Sequence, residues 1–297
     1  MKEIKTLRDI PEEHLLIGGS PTCPGCGPEI GLKLTLKALG PDTVVVNSAG
    51  CMTLLCNYPY TPLKVSWIHS AIENADATAT GIIRALKARN RKMNVICYAG
   101  DGASYEIGMG SLSGAATRND PVIHICYNNA CYGNTGDQWN PATPHYANTT
   151  TTPVTEKSSG NPWYKKDMVK IMAAHGCYAA TACLSKPADY MNKLKKAKES
   201  GGFAFIDLFG SCPTNWGFDS SKTVEVDRLA VETCFWPLYE ISGGKLTVNY
   251  KPTQIKSVVE FLKTQGRYKH LTKKQIEEMQ GLVSGNWKKL LAEENRA

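Results

Sequence analysis

The sequence predicts an α/β fold built on a predominantly parallel sheet with helices on both faces. Three observations predict it. Short apolar runs at residues 43–47, 95–98, 122–127, 178–183 and 203–209 read as strands, and segments with helical spacing lie between most of them. Alternation of this kind closes most economically as parallel strand–helix–strand units. The polar stretches Gly100-Asp101-Gly102 and Asn128-Asn129 directly follow two of the runs, at the edge where open α/β sheets bind ligands.

In chain order, a Pro/Gly-rich loop, SPTCPGCGPEIG, carries Cys23 and Cys26 and runs into a helix over 30–39. TVVVN at 43–47 reads as a buried strand whose exit, Ser48-Ala49-Gly50, brings Cys51 to the edge where GDG lies. Residues 71–87, small and apolar, suit a closely packed helix. The strand at 95–98, a helix over 104–117 and the strand at 122–127 form the central unit. The stretch from Trp139 to Trp163 is rich in Pro, Thr, Asn and Gly and lacks periodicity. A loop that long is functional or wraps a partner. Helices at 165–175 and 188–198 flank the strand at 178–183, and the strand at 203–209 leads to Cys212. From about Val224 the pattern changes. A helix at 226–235 precedes two short strands around Gly243-Gly244, a hairpin signature. Helices at 253–264 and 273–291 follow. The expected division is a ligand-binding α/β unit, 1–223, and an extension, 224–297, that docks a subunit. A free surface hairpin is the plainer alternative.

Composition narrows the classes. The chain has 297 residues and ordinary globular composition. It has no apolar run of the roughly 18 residues a membrane span needs. The amino terminus, MKEIKTLRDIPEEHLL, lacks a signal-peptide core, so a cytoplasmic protein is expected. A net charge of +7 is mild, and no basic stripe interleaved with aromatics suggests nucleic acid. An acidic protein partner suits its sign. Eleven cysteines are many for a cytoplasmic chain. Disulfides are not expected there, which points to metal binding or anaerobic life.

The candidate chemistry starts at GDG. Gly100 and Gly102 are expected to let the backbone turn tightly and approach a phosphate, and the N–H groups of the following helix favour an anion. Asp101 between them repels a bare phosphate but suits a divalent cation bridging to a diphosphate. Mg²⁺ takes carboxylate, amide and backbone oxygens, phosphate and water. Asn129, 28 positions on, supplies such an oxygen. The plain alternative is an ordinary strand-to-helix turn. Cys23, Cys26, Cys51 and Cys212 form a second set. Structural zinc and iron–sulfur ligation both remain open for it. A thioredoxin-like pair lacks its preceding strand. Cys56, Cys97, Cys126, Cys177, Cys183 and Cys234 mostly fall in apolar runs and read as small buried hydrophobes.

GDG followed by NN at this spacing resembles the thiamine diphosphate (TPP) motif. NNACYGNTGDQ is similar to the matching loop of the 2-oxoacid:ferredoxin oxidoreductases, pyruvate:ferredoxin oxidoreductase above all. The resemblance spans about residues 18–250 and implies a TPP-binding fold and a β subunit. It implies Mg²⁺ held by Asp101, the Asn129 side chain and the Cys131 backbone carbonyl. Cofactor contacts are implied at Gly100, Gly102, Ala103, Gly133, Asn134 and Thr135, with Asn134 donating a hydrogen bond to a substrate-derived oxygen. His69, in a W-x-x-H segment similar to the family's, would approach the diphosphate or the cluster; a structural histidine is the alternative. The four cysteines match the pattern that holds the family's [4Fe–4S] cluster nearest TPP.

The implied reaction is oxidative cleavage of a 2-oxo acid, releasing CO₂ and passing electrons through the cluster to ferredoxin, with coenzyme A taking the acyl group. Glu73 is tempting as the acid that activates TPP, but in the family that glutamate belongs to the α subunit. An α subunit and γ/δ-type ferredoxin-like subunits are therefore the expected partners. Ala130, Gly133 and Asp137 depart from the usual pyruvate pattern. Pyruvate is the first choice, and oxalate, which needs no coenzyme A, is the alternative. Two other classes compete: a non-oxidative TPP lyase or synthase subunit with structural zinc, and a non-catalytic zinc-binding scaffold.

Overall fold

Along each central strand, successive side chains pass to opposite faces of the sheet, and the two faces bury separate apolar cores. Val44 and Val46 belong to one core and Val45 to the other; Val95 and Cys97 separate from Ile96 and Tyr98 in the same way. Coverage on both faces makes these runs continuously apolar. The computed structural model describes residues 3–56 and 59–296.

The elements are α1 (Gly27–Leu39), β1 (Thr43–Ser48), β2 (Ser66–Ser70), α2 (Ala75–Ala88), β3 (Asn94–Gly100), α3 (Met109–Thr117), β4 (Ile123–Asn128), the short β5 (Val154–Thr155) and β6 (Ser158–Ser159), α4 (Met168–Ala173), β7 (Tyr178–Cys183), α5 (Pro187–Glu199), β8 (Ala204–Phe209), α6 (Pro213–Trp216), α7 (Thr223–Glu232), β9 (Leu238–Ser242), β10 (Lys245–Tyr250), α8 (Val258–Leu262) and α9 (Lys273–Glu294). The main sheet has the order β10-β9-β7-β8-β4-β3-β1-β2. The six strands from β7 to β2 run parallel; β9 is antiparallel to β7, and β10 is antiparallel to β9. Helices α1 and α5 cover one face, through residues such as Leu32, Leu36, Tyr190 and Leu194. Helices α2, α3 and α4 and the carboxyl-terminal helices cover the other, through Leu112, Met172, Phe261 and Trp287. Among the described residues no helix is long and apolar enough to cross a membrane.

Four features differ from the sequence reading. The strand β2 lies at a sheet edge with Ile68 and His69 exposed, so it lacks the apolar run that marks buried strands. Helix α2 starts at Ala75 rather than at 71. Residues Ala103–Ile107 form a π-helical turn, closed by the Gly108 N–H donating to the Ala103 carbonyl at 2.8 Å, before α3 begins. Such turns are frequent at functional sites. The hairpin is not free: β9 pairs with β7 and extends the sheet, and α7, α8 and α9 bury Val226, Phe261 and Met279 in the same core as the strands.

Candidate functional site

The sheet reverses its winding between β1 and β3. From β1 the chain crosses to β2 on one side, and from β2 it returns to β3 on the other. Open α/β sheets bind ligands at the carboxyl ends of the strands beside such a switch point. Four adjacent strands deliver the candidate residues there: β1 leads to Cys51, β3 to Asp101, β4 to Asn129 and Cys131, and β8 to Cys212. His69 lies near the carboxyl end of β2, exposed, its Nδ1 3.2 Å from the Asn47 amide.

Asp101 is 1% exposed. Its Oδ1 accepts from the Gly102 N–H at 3.1 Å and its Oδ2 from the Cys131 N–H at 3.0 Å. Burial pushes its carboxyl up to about 7; the neighbouring Asn140 amide and these N–H groups pull the other way, and Asp207 adds like charge. One terminal atom of the Asn129 amide lies 2.9 Å from the Cys131 carbonyl oxygen and 3.2 Å from Asp101 Oδ1. As Nδ2 it donates to both. Turned over, the amide places its oxygen at these separations from the other two oxygens. Neighbouring ligands of an octahedral Mg²⁺ stand about 3 Å apart, given bonds of about 2.1 Å. In that orientation the donor set is hard and oxygen-only, and both separations of the Asn129 oxygen fit neighbouring ligands of Mg²⁺. Ala130 makes this possible by adopting φ of +58°, in the left-handed region, between Asn129 and Cys131.

The two glycines of GDG serve space rather than an unusual turn. Gly102 has φ −59° and ψ −40°, ordinary helical values. A Cβ there would stand 2.1 Å from the Tyr132 ring, and one on Gly100 3.2 Å from the Tyr127 ring. Tyr132 Oη donates to Glu106 at 2.8 Å. The loop beyond it is closed by the Tyr132 N–H donating to the Gln138 carbonyl at 2.9 Å. Asn134 and Thr135 are exposed on this loop; Thr135 donates to Gln138. Ala103 is buried at the start of the π turn.

The thiols of Cys26, Cys51 and Cys212 share a helix-start environment. Cys26 precedes α1, Cys212 precedes α6, and Cys51 opens a 3₁₀ turn, Cys51–Cys56. N–H groups at helix starts favour a thiolate. Burial pushes Cys51 up to about 12, with Cys212, Asp101 and Cys23 adding like charge; burial likewise raises Cys26 and Cys212. These mutual influences mark the four thiols as one group. The group is built by close backbone packing. A Cβ on Gly27 would stand 2.7 Å from the Gly210 carbonyl carbon, and Thr223 Oγ1 donates to the Gly25 carbonyl at 2.6 Å. Among the described residues no three of these sulfurs come within 4.8 Å of one another. Four thiolates on one tetrahedral zinc stand about 3.8 Å apart, given Zn–S bonds of about 2.3 Å.

Several contributors escaped sequence reasoning. Trp216 is fully buried, its indole N–H donates to the Asn129 carbonyl at 2.9 Å, and the Arg267 guanidinium lies 3.7 Å over its ring. Asn215 Nδ2 donates to the Gly133 carbonyl at 3.1 Å. Asn140 leaves its buried Nδ2 without a hydrogen bond beside Asp101. Asn128 donates to Tyr105 Oη at 3.1 Å and to Asp207 at 3.0 Å while its own oxygen accepts from the Ala130 N–H. Only the polar pair NN hinted at this last network. A buried string, Ser104–His124–Asp76, has contacts of 2.8 and 2.9 Å and ties the Gly100 carbonyl through Ser104. It has the connectivity of a hydrolytic triad but is buried throughout and serves to hold the exit of β3.

Comparison with known proteins bears on the fold and the family. Residues 48–208 match the family described as thiamine pyrophosphate enzyme, C-terminal TPP binding domain. Pyruvate synthase subunit PorB of Methanothermobacter thermautotrophicus is 50% identical over 277 residues, covering 92% of this chain and 96% of the relative. Ketoisovalerate oxidoreductase subunit VorB of Pyrococcus furiosus is 39% identical over 299 residues, covering 97% and 96%. A solved 2-oxoglutarate:ferredoxin oxidoreductase from Magnetococcus marinus superposes with a TM-score of 0.58 at 23% identity, over 93% of this chain and 97% of that one, which speaks for the fold.

Proposed function

Since this chain belongs to the TPP-binding β subunits of the 2-oxoacid:ferredoxin oxidoreductases, we propose that it holds the diphosphate end of TPP through Mg²⁺, carries a [4Fe–4S] cluster and serves pyruvate oxidation with coenzyme A as acyl acceptor. The observation that carries the cofactor reading is the convergence of Asp101 Oδ1, the Asn129 amide and the Cys131 carbonyl at 2.9–3.2 Å. These three would hold the Mg²⁺, which would neutralise the buried Asp101 and the diphosphate. Bound TPP supplies a nucleophilic carbon for 2-oxo acids.

The chain's own residues bind and orient. Gly100 and Gly102 leave room for the tyrosines that brace the loop, and Ala103 opens the helical N–H groups toward an anion. Gly133 is half-buried at the inner side of the loop, and Asn134 and Thr135 form its exposed part, where the Asn134 amide would donate to a substrate oxygen. His69 is a candidate for the outer contact on the diphosphate side. Cys23, Cys26, Cys51 and Cys212 would hold the cluster. Membership of the 2-oxoacid:ferredoxin oxidoreductases supports iron over the zinc-containing lyase or scaffold.

Pyruvate is favoured over oxalate because PorB relatives carry the name pyruvate synthase at 46–50% identity. Residues 1–223 would form the cofactor and cluster unit. The face around the tail, with Trp163 and Tyr164 more than half exposed, would meet the α subunit, which supplies the activating glutamate. Ferredoxin-like γ/δ subunits and ferredoxin would take the electrons.

Anaerobic purification with the partner subunits tests this. About four irons and four sulfides for this chain's cluster are expected, lost in Cys51→Ser. TPP binding should require Mg²⁺ and disappear in Asp101→Ala, and pyruvate should reduce ferredoxin only with coenzyme A present. Zinc in place of iron would overturn the cluster assignment. Unchanged TPP binding in Asp101→Ala would overturn the Mg²⁺ site.

A further inference from the structure

Resting on the reading of the four thiols as cluster ligands, we propose that Asn215 is a positioning residue that fixes the cofactor loop against the cluster. The turn from Cys212 to Trp216 touches that loop on both sides of Cys131. Trp216 reaches the Asn129 carbonyl on one side, at 2.9 Å, and Asn215 reaches the Gly133 carbonyl on the other, at 3.1 Å. The same Asn215 amide lies 3.5 Å from Cys131 Sγ. Gly133 is pinned between the two machineries: an atom added at its Cα would stand 2.7 Å from the Asn129 amide, 3.2 Å from the Asn215 amide and 3.4 Å from Cys51 Sγ. Thus the metal-binding amide, the Asn215 side chain and a cluster thiol meet at one glycine.

The chemistry of the contact defines its role. Trp216 is the mechanical anchor, fully buried and stacked under Arg267. Asn215 is only partly buried and adds little packing. It presents an N–H donor to the loop carbonyl and a neutral dipole near the thiols. Hydrogen bonds and charge near the sulfurs tune a cluster's potential. A donor that also fixes the loop sets the separation between the reacting cofactor and its electron acceptor.

The test uses the complete complex, purified anaerobically, with wild type, Asn215→Ala, Asn215→Asp and Asn215→Ser. Iron content, melting temperature, the potential of this cluster in a titration followed by electron paramagnetic resonance, and first-turnover cluster bleaching by pyruvate are measured. Asn215→Ala should keep iron and melting temperature but slow first-turnover bleaching at least tenfold. Asn215→Ser, which restores a donor, should recover most of the rate. Asn215→Asp should make the potential more negative. Wild-type bleaching in Asn215→Ala together with an unmoved potential in Asn215→Asp, in iron-replete protein, would overturn the proposal while sparing the cluster reading. Wild type without iron would overturn both. Loss of iron or folding in all three variants would assign Asn215 to assembly and overturn the positioning role.

Discussion

Substituting Gly102 with alanine separates two accounts of the GDG motif. If the glycine provides backbone freedom, the cost lies in the backbone. If it provides space, the cost lies in Tyr132. An added Cβ would stand 2.1, 2.4 and 2.7 Å from three carbons of that ring. Carbon atoms prefer separations of about 3.5–4 Å, so the ring must retreat by more than about 1 Å. It is tied down through Oη to Glu106 at 2.8 Å and through its N–H to Gln138 at 2.9 Å, so the loop must move with it. Overpacking costs about 1–3 kcal/mol, and a lost hydrogen bond adds about 1 kcal/mol. Gly102→Ala should therefore destabilise the purified chain by about 2–4 kcal/mol in urea unfolding. The backbone itself favours alanine, since φ and ψ are helical. With the ring removed, Gly102→Ala should stabilise Tyr132→Ala by about 0.5–1 kcal/mol. The reversal of sign is the signature, with a coupling of about 3 kcal/mol between the two sites. Additive effects, or a Gly102→Ala chain within about 0.5 kcal/mol of wild type, would refute the steric account.

Asp227 offers a pH test. It is fully buried with Oδ2 unpartnered, and burial raises its carboxyl from 3.8 to about 7 against the pull of Ser211. Its folded value lies above its unfolded one, so its own contribution to stability is full below about pH 4 and is lost as pH rises toward 7, by a limit of roughly 4 kcal/mol. Asp227→Asn should match wild type near pH 4 and exceed it by a few kcal/mol at pH 8 in urea unfolding. Ala130, at φ +58°, should accept glycine with a change within about 1 kcal/mol, whereas Ala130→Val should cost about 2 kcal/mol or more and weaken Mg²⁺-dependent TPP binding, read by calorimetry. Trp216→Phe keeps a ring but leaves the Asn129 carbonyl with only the long contact from the Cys131 thiol, and should cost about 1–3 kcal/mol on the same unfolding assay.

The strands legible in the sequence are the ones buried on both faces. β1, β3, β4, β7 and β8 are buried nearly along their whole length and mostly apolar, broken by buried polar residues such as His124, Thr181 and Asp207. β2 escaped because one edge strand with four of five residues at least partly exposed needs no such run. The hairpin was legible from Gly243-Gly244, both at positive φ, but not its attachment to β7. Attachment depends on which sheet edge lies open after the whole fold has formed. The same limit applies to the π turn, since Ala103–Ile107 has a sequence any helix start could share.

Within the site, legibility follows the chain separation of the partners. Asp101 and Asn129 could be paired because each follows a strand, and exits of parallel neighbours share one edge. Asn215 and Trp216 could not, because their partners lie more than 80 residues away and are backbone carbonyls, which leave no mark on residue type. Gly102 shows an intermediate case. Its identity was readable, but its reason was not, since that reason is a tyrosine ring 30 residues on. The cysteines extend the same logic. Spacing in sequence made a four-thiol group plausible while leaving zinc and iron open. The fold adds that β1 and β8, which lie on either side of β3 and β4, deliver Cys51 and Cys212 to the edge where Asp101 and Asn129 lie. Residue types therefore carry the chemistry available at this edge, and the fold brings those residues to it.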